Sequence, residues 1–327
     1  MKVLSLFDGI SGARLALKRA NIKVDKYYSS EIDKYAIEIS KNNWSDIIQL
    51  GDITNWRSWS IEKPDLIIGG SPCQGFSFAG KQLNFNDERS KLFFTFVDVL
   101  KHYKPKYFLL ENVKMKKEYQ KVITDLLGVE PIEINSALVS AQNRKRLYWC
   151  NWNIEQPEDK GIELKDVLLS GKKIGRMVGR KINPLTGKRD DYNKSLIAKQ
   201  RIEPRTDNES GTLTTVQKDN IVIHNLYGGF NEKKCRTFKD KSPTVRTSSG
   251  GGHIPNVFEG TEDEALSTDL KTLRENTRKL TPIECERLQT YPDHYTTDYI
   301  SNTQRYKALG NSFTVDVIAH ILKGLIK

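Results

Sequence analysis

Between residues 2 and 152 the chain alternates short apolar runs with amphipathic stretches, a rhythm that few folds accept. VLSLF (3–7), YYSSE (27–31), LIIGG (66–70), YFLLENV (107–113) and LYWCNW (147–152) have the length and the aliphatic or aromatic content of strands. ARLALKRA (13–20), YAIEISKNN (35–43), LFFTFVDVL (92–100) and YQKVITDLL (119–127) fall between them as helical patterns. Strand and helix in turn predict an α/β chain with an open, mostly parallel, Rossmann-like sheet and helical crossovers. Ligands of such sheets bind beyond the carboxyl ends of the strands, so the loops after VLSLF, YYSSE, LIIGG and YFLLEN are expected to line the site.

From about residue 154 to 275 the texture changes to Gly, Lys, Thr and Asn, which reads as a smaller loop- and strand-rich lobe. Within it, Ser210–Thr215 and Ser242–Thr247 share the pattern S-x-T-aliphatic-x-T, as two similar turn-and-strand units would. Residues 172–205 hold eleven Lys or Arg against three acidic residues, a composition suited to tracking phosphates. Regular patterning returns near 276: TPIECERLQ reads as helix, and Val315, Ile318, Ala319, Leu322 and Ile326 share one face of a last helix that packs back on the first lobe. The expected division is therefore 1–153, 154–275 and 276–327.

Charge narrows the partner. Fifty-two Lys and Arg against 41 Asp and Glu leave a net charge of +11, which attracts polyanions and puts nucleic acid first. Cys73, Cys150, Cys235 and Cys285 form no C-x-x-C pair, so neither a metal site nor a disulfide framework is expected. No run of about 18 apolar residues occurs, so no membrane span is expected. Free thiols fit a reducing cytoplasm, and the chain is expected to act as a monomer.

The first loop, Phe7-Asp8-Gly9-Ile10-Ser11-Gly12, follows a strand and opens a helix, where glycines let a ligand approach the backbone. It lacks the full G-x-G-x-x-G fingerprint of dinucleotide binding. Glu31, at the end of the second strand, is placed to accept hydrogen bonds from ribose hydroxyls, so a nucleoside without phosphates fits. Asp52 and Ile53 offer a carboxylate to an adenine amino group and an aliphatic face to its ring; each also suits an ordinary turn.

Cys73 comes just after LIIGG, in a Ser-Pro-Cys-Gln turn at the active edge of the sheet, where a thiol is displayed and not buried. Cys150, inside LYWCNW, reads as core. Thiolate is intrinsically a strong nucleophile, and no histidine is placed beside Cys73 as a thiol protease requires. Glu111, in the loop after YFLLEN, is a carboxyl in apolar surroundings expected to raise its pKa and let it donate a proton. Gln142-Asn143-Arg144-Lys145-Arg146 places two guanidinium groups within reach of it. Thiolate and acidic carboxyl together suit addition to an electron-poor ring.

In order along the chain, FDGISG, SSEID, GDI, GGSPCQGFSFAG, ENV, QNRKRLY, RKLTPIECERLQTYP and ALGNSFTV resemble the cytosine-5 DNA methyltransferases. The resemblance covers residues 1 to about 152 and 276 to 327; the middle lobe is where that family keeps its target-recognition region. It implies S-adenosylmethionine as cofactor and duplex DNA as partner, with Cys73 adding to carbon 6 of a flipped-out cytosine. Glu111 then protonates or hydrogen-bonds ring nitrogen 3, Arg146 with Arg144 nearby stabilises the pair, and carbon 5 accepts the methyl group. By the same resemblance the cofactor pocket comprises Phe7, Gly9, Gly12, Glu31, Ile32, Asp52, Ile53, Pro72, Leu92, Asn311 and Ser312. Ser77, Gln82 and Arg89, in a covering loop, are the implied DNA contacts. Asp8 stands where a small residue is common in the family, and the ENV segment runs on into the basic Lys114-Met115-Lys116-Lys117. Two alternatives use the same residues: transfer to structured RNA, and a DNA-binding relative without turnover.

Overall fold

The computed structural model describes residues 1–71, 88–169, 277–297 and 299–326, with shorter stretches at 174–181, 195, 197, 199–203, 212–213, 242–245 and 256–258. Its main sheet is built from β1 (Lys2–Leu6), β2 (Lys26–Ser30), β3 (Ile47–Gln49), β4 (Leu66–Gly70), β5 (Tyr107–Val113), β6 (Ile132–Asn135) and β8 (Lys145–Cys150). β7 (Gln142–Asn143) immediately precedes β8. The strand order is β3-β2-β1-β4-β5-β8-β6. β1 to β5 pair in parallel, while β8 runs antiparallel to both β5 and β6. The expected mostly parallel sheet is present, with LYWCNW as its reversed strand.

Period-two alternation sends successive side chains to opposite faces, and here both faces are covered, which is why these strands read as unbroken apolar runs. Val3, Leu66, Ile68 and Leu109 enter one core with α1 (Gly12–Arg19), α2 (Lys34–Asn43) and the C-terminal segment. Leu4, Leu6, Ile67, Leu110 and Trp149 enter the other, with α3 (Glu88–Tyr103) and α4 (Lys117–Leu127).

The C-terminal segment forms α5 (Pro282–Leu288), α6 (Asn302–Asn311) and α7 (Val315–Lys323). Val315, Ile318 and Leu322 of α7 are completely buried, each contributing roughly 1.5–3 kcal/mol by leaving water. Ile326 departs from that face and is exposed, because α7 ends at Lys323 and Gly324 follows as its cap. Arg19 of α1 pairs with Asp316 at 2.8 Å, fastening α7 to the first lobe. Residues just after 154 share this core: Leu164, Val167 and Leu168 are buried in it, and the Leu169 amide donates to Glu284 at 2.9 Å.

The middle region contributes β9 (Ile174–Arg180), β10 (Lys199–Glu203), β11 (Thr212–Leu213), β12 (Ser242–Val245) and β13 (Asn256–Phe258), followed by β14 (Thr277–Lys279). β10-β9-β13-β14 make an antiparallel sheet, and β11-β12-β7 a parallel one.

Candidate active site

The carboxyl end of β1 is bent sharply. Phe7 and Ser11 both have positive φ, as does Gly9, and for the two non-glycines that costs roughly 1–2 kcal/mol each. Asp8 holds the bend. Its carboxylate accepts from Ser11 Oγ at 2.6 Å, Tyr27 Oη at 2.7 Å and Ser29 Oγ at 2.8 Å, and its amide donates to the Ser30 carbonyl. Burial pushes the Asp8 carboxyl up while these hydroxyls pull against it. The acidic residue at this position is thus the anchor of the loop, a role its sequence setting does not announce.

The bend delivers the Gly9 amide to Glu31 Oε2 at 2.8 Å, while Glu31 Oε1 accepts from the amides of Ile32 and Asp33. Burial raises the Glu31 carboxyl and the three amides oppose it. A carboxylate fixed this way keeps a lone pair on Oε2 for a further donor. Gly12 is required for a different reason: a Cβ there would collide with the Tyr291 hydroxyl. A cleft opens beside these residues, lined by Gly9, Glu31, Asp33 and Ala36 on one side and by Gln304, Lys307, Ala308 and Asn311 of α6 on the other. Lys307 closes its rim by an ion pair with Asp33.

Other expected cofactor residues take mixed positions. Ile32, between the lining residues Glu31 and Asp33, is 73% exposed. Asp52 caps the following turn by accepting from the Thr54 amide at 2.8 Å, and Ile53 is buried in the core beside Trp56. Leu92 packs half-buried on the same core. Ser312 is buried, its hydroxyl on the Leu309 carbonyl. Pro72, Cys73, Ser77 and Gln82 lie outside the described residues, and Arg89 falls in the first turn of α3.

At the carboxyl ends of β4 and β5 stands the second half of the site, with Glu111 inside β5 and not in the loop after it, because it still pairs with Gly70 and Tyr148 in the sheet. Arg146 Nε meets Glu111 Oε1 at 3.0 Å, both side chains 13% exposed. The wall opposite Glu111 is therefore a guanidinium, where the sequence led us to expect apolar surroundings. Gly70, opposite Glu111 in the sheet, leaves room for the carboxylate: a Cβ at 70 would lie 3.1 Å from Glu111 Oε2 and 3.1 Å from Phe313. Next along, Asn112 Nδ2 donates to Ser71 Oγ at 3.0 Å, and Asn112 Oδ1 accepts from the Val113 amide. This ties the residue two before Cys73 to the strand that carries Glu111. Arg144, buried, donates to the Ser312 carbonyl at 3.0 Å, bracing the GNS segment while Arg146 faces Glu111.

Cys150 and Cys285 are buried. Burial pushes the Cys150 thiol up to about 11 and that of Cys285 well above its ordinary range, so both are held as inert thiols. Sequence reasoning did not single out Asp33, Asn112, Gln304, Lys307 or Phe313. The TQRYKALGNS run, with polar residues on one side of a helix entering a GNS turn, was the signal available for Gln304 and Lys307.

A cleft lined by Glu31 and Asp33 at the carboxyl edge and a second polar centre at Glu111 and Arg146 stand where open α/β sheets bind their ligands, an arrangement that suits an S-adenosylmethionine-dependent methyltransferase. The chain matches the C-5 cytosine-specific DNA methylase family over residues 1–327 and belongs to it. It is a cytosine-5 DNA methyltransferase, and its cofactor is S-adenosylmethionine. Among its relatives, the type II methyltransferase M1.ScrFI of Lactococcus lactis subsp. cremoris is 29% identical, covering 100% of this chain and 78% of the relative. The type II methyltransferase M.HhaI of Haemophilus parahaemolyticus is 28% identical over 98% of this chain and 93% of its own length. The fold is shared with the methyltransferase EhMeth of Entamoeba histolytica (TM-score 0.60, 18% identity, 100% and 98% of the two chains). It is shared equally with DNMT2 of Spodoptera frugiperda (TM-score 0.60, 19% identity, 100% and 99%). Among the described residues no helix is long and apolar enough to cross a membrane.

Proposed function

We propose that Cys73 is the nucleophile and that Glu111 and Arg146 hold the target base against it. The thiolate bonds to carbon 6 of a cytosine turned out of the duplex. Glu111 gives a proton to, or shares one with, ring nitrogen 3, which makes carbon 5 electron-rich, and Arg146 fixes the carboxyl group. S-adenosylmethionine supplies the methyl group that carbon 5 accepts. Loss of the carbon 5 proton then expels the thiolate. The observation that carries this reading is the Glu111–Arg146 pair, one strand over from the Gly70-Ser71 segment that leads into Cys73. The inert state of Cys150 and Cys285 also favours it.

Toward the cofactor, Glu31 would accept a ribose hydroxyl and Ile32 would cover the adenine. Gly9, Gly12, Phe7, Asp52, Ile53, Pro72, Leu92, Asn311 and Ser312 complete the proposed pocket. Ser77, Gln82 and Arg89 are proposed as DNA contacts, and Arg144 as the brace between the arginine strand and Ser312.

The proposed organisation keeps residues 1–153 and 276–327 as the catalytic lobe and 154–275 as the target-recognition lobe. Leu164, Val167 and Leu168, at the start of the second stretch, are buried in the catalytic core. Turning a base out costs a few kcal/mol of stacking, which the basic stretch 172–205 would help offset through phosphate contacts. We further infer a monomer acting in the cytoplasm as the modification enzyme of a restriction system, the setting of the two type II relatives.

Labelled methyl transfer to duplex DNA and to transfer RNA, run in parallel with bisulfite sequencing of DNA from expressing cells, tests the reading. The expected result is sequence-specific 5-methylcytosine in DNA, abolished by Cys73→Ser with cofactor binding retained. Transfer by Cys73→Ser would remove the nucleophile, and labelling of RNA alone would replace the substrate.

A further inference from the structure

The two S-x-T-aliphatic-x-T stretches have no task in the chemistry above, yet the fold brings them together. β11 and β12 pair in parallel with Thr212 opposite Thr244 and Leu213 opposite Val245. The same positions of the two units thus face one another. The outer edge of β12 pairs with β7, Ser242 opposite Gln142 and Pro243 opposite Asn143. Arg144 follows β7 directly, and Arg146 is the second residue of β8 beyond it. On its other side α6, which closes the cofactor cleft, contacts both β11 and β12. The ribbon from the middle region therefore touches the two elements that frame the reaction.

At the joint sits Gln142. It is completely buried, and among the described residues neither its carbonyl oxygen nor its amide nitrogen has a partner. Nearby in sequence, Ser136 donates to Thr314 and Ser140 to the Leu288 carbonyl. A buried unpaired amide weakens the fold that contains it, and a functional role is one reason for keeping such a group.

We propose that Gln142 is a positioning residue through which the target-recognition lobe, once seated on DNA, sets the arginine strand. Movement of the β11–β12 ribbon along β7 gives the Gln142 amide its partners and places Arg146, with Glu111, for the chemical step. The inference rests on the DNA methyl-transfer reading above. It makes the ribbon a coupling element whose loss slows chemistry without loosening either ligand.

The test is Gln142→Met, which keeps side-chain length and removes the hydrogen-bonding groups. Removing an unpaired amide is expected to raise Tm by about 2–4 °C. The single-turnover rate of methyl transfer to DNA is expected to fall about tenfold or more, with dissociation constants for S-adenosylmethionine and DNA within about twofold of wild type. Thr244→Pro, which removes a backbone donor from the middle of the ribbon, is expected to give the same split between rate and binding. A wild-type single-turnover rate in Gln142→Met overturns the proposal. So does a lower Tm with both dissociation constants weakened in proportion, the mark of a purely structural residue. Wild-type protein that transfers nothing to DNA would instead sink the parent reading, and is told apart because it precedes any comparison of variants.

Discussion

Adding one methyl group at Gly70 presses directly on the proposed catalytic carboxylate. The new Cβ of Gly70→Ala would lie 3.1 Å from Glu111 Oε2, 3.1 Å from Phe313 Cε1 and 3.6 Å from Phe313 Cζ. Ordinary contact begins near 3.4 Å, so each neighbour must retreat by a few tenths of an ångström. Neither has room, since Phe313 is buried and Glu111 is held by Arg146. Overpacking of this kind costs about 1–3 kcal/mol, while replacing a strand glycine returns roughly 0.5–1 kcal/mol of backbone entropy. The net loss of stability is about 1–2 kcal/mol. Because a misplacement near 1 Å costs about 10²-fold in rate, kcat should fall about 10- to 100-fold. KM for S-adenosylmethionine should change little. Gly69→Ala is the contrast: its Cβ would stand 2.7 Å from the Leu6 carbonyl oxygen, a backbone atom that cannot swing aside, so that variant should lose stability first. Steady-state methyl transfer and thermal melting of both variants decide the matter. Gly70→Ala with wild-type kcat and Tm would refute the reasoning.

Other outcomes follow from the same contacts. Asn112→Ala leaves the Ser71 hydroxyl and the Val113 amide unpaired, a cost of about 1–3 kcal/mol for each buried group, and should slow covalent attachment to DNA more than it weakens cofactor binding, as read by adduct-formation kinetics. Lys307→Met opens the rim of the proposed cofactor cleft and should raise KM for S-adenosylmethionine several-fold at unchanged kcat. That variant also carries a pH signature. Burial pushes the Asp33 carboxyl up, but Lys307 and the amides at the start of α2 outweigh it and hold it below its ordinary range. A depressed carboxylate stabilises the fold above the ordinary Asp pKa of about 4 and ceases to do so as pH falls through its folded value. The Tm gap between wild type and Lys307→Met should thus be full near pH 7 and close in acid below about pH 4. Cys150→Ala should leave methyl transfer intact, as its thiol is buried and inert; loss of activity without loss of Tm would contradict that.

Strands covered on both faces were the legible part, because a fully buried strand needs an unbroken apolar run: Leu66-Ile67-Ile68 can be read no other way once helices flank it. β3 and β6 escaped notice because a three- or four-residue strand at or near the sheet edge carries too little periodicity. Position at strand ends is what singles out Glu31, Glu111 and Arg146 as candidates in the sequence. Lys307 and Asp33 were not, since their pairing joins residues remote in sequence. Asp8 was visible only as an oddity, because its meaning lies in three hydroxyls converging from Ser11, Tyr27 and Ser29. Arg144 and Arg146 show the limit of reading spacing alone: two residues apart, one braces the Ser312 carbonyl and the other holds Glu111.

The central claim is that a sulfur–carbon bond to the base precedes methylation, and trapping that bond tests it most directly. Duplex DNA carrying 5-fluorocytosine at the target position cannot shed the substituent on carbon 5, so the adduct should persist once the methyl group has been transferred. Mass spectrometry of the digested complex should then find the DNA on the peptide containing Cys73, and nothing comparable with Cys73→Ser. Attachment through Cys150, Cys235 or Cys285, or full methylation of ordinary DNA with no adduct at any cysteine, would contradict the account.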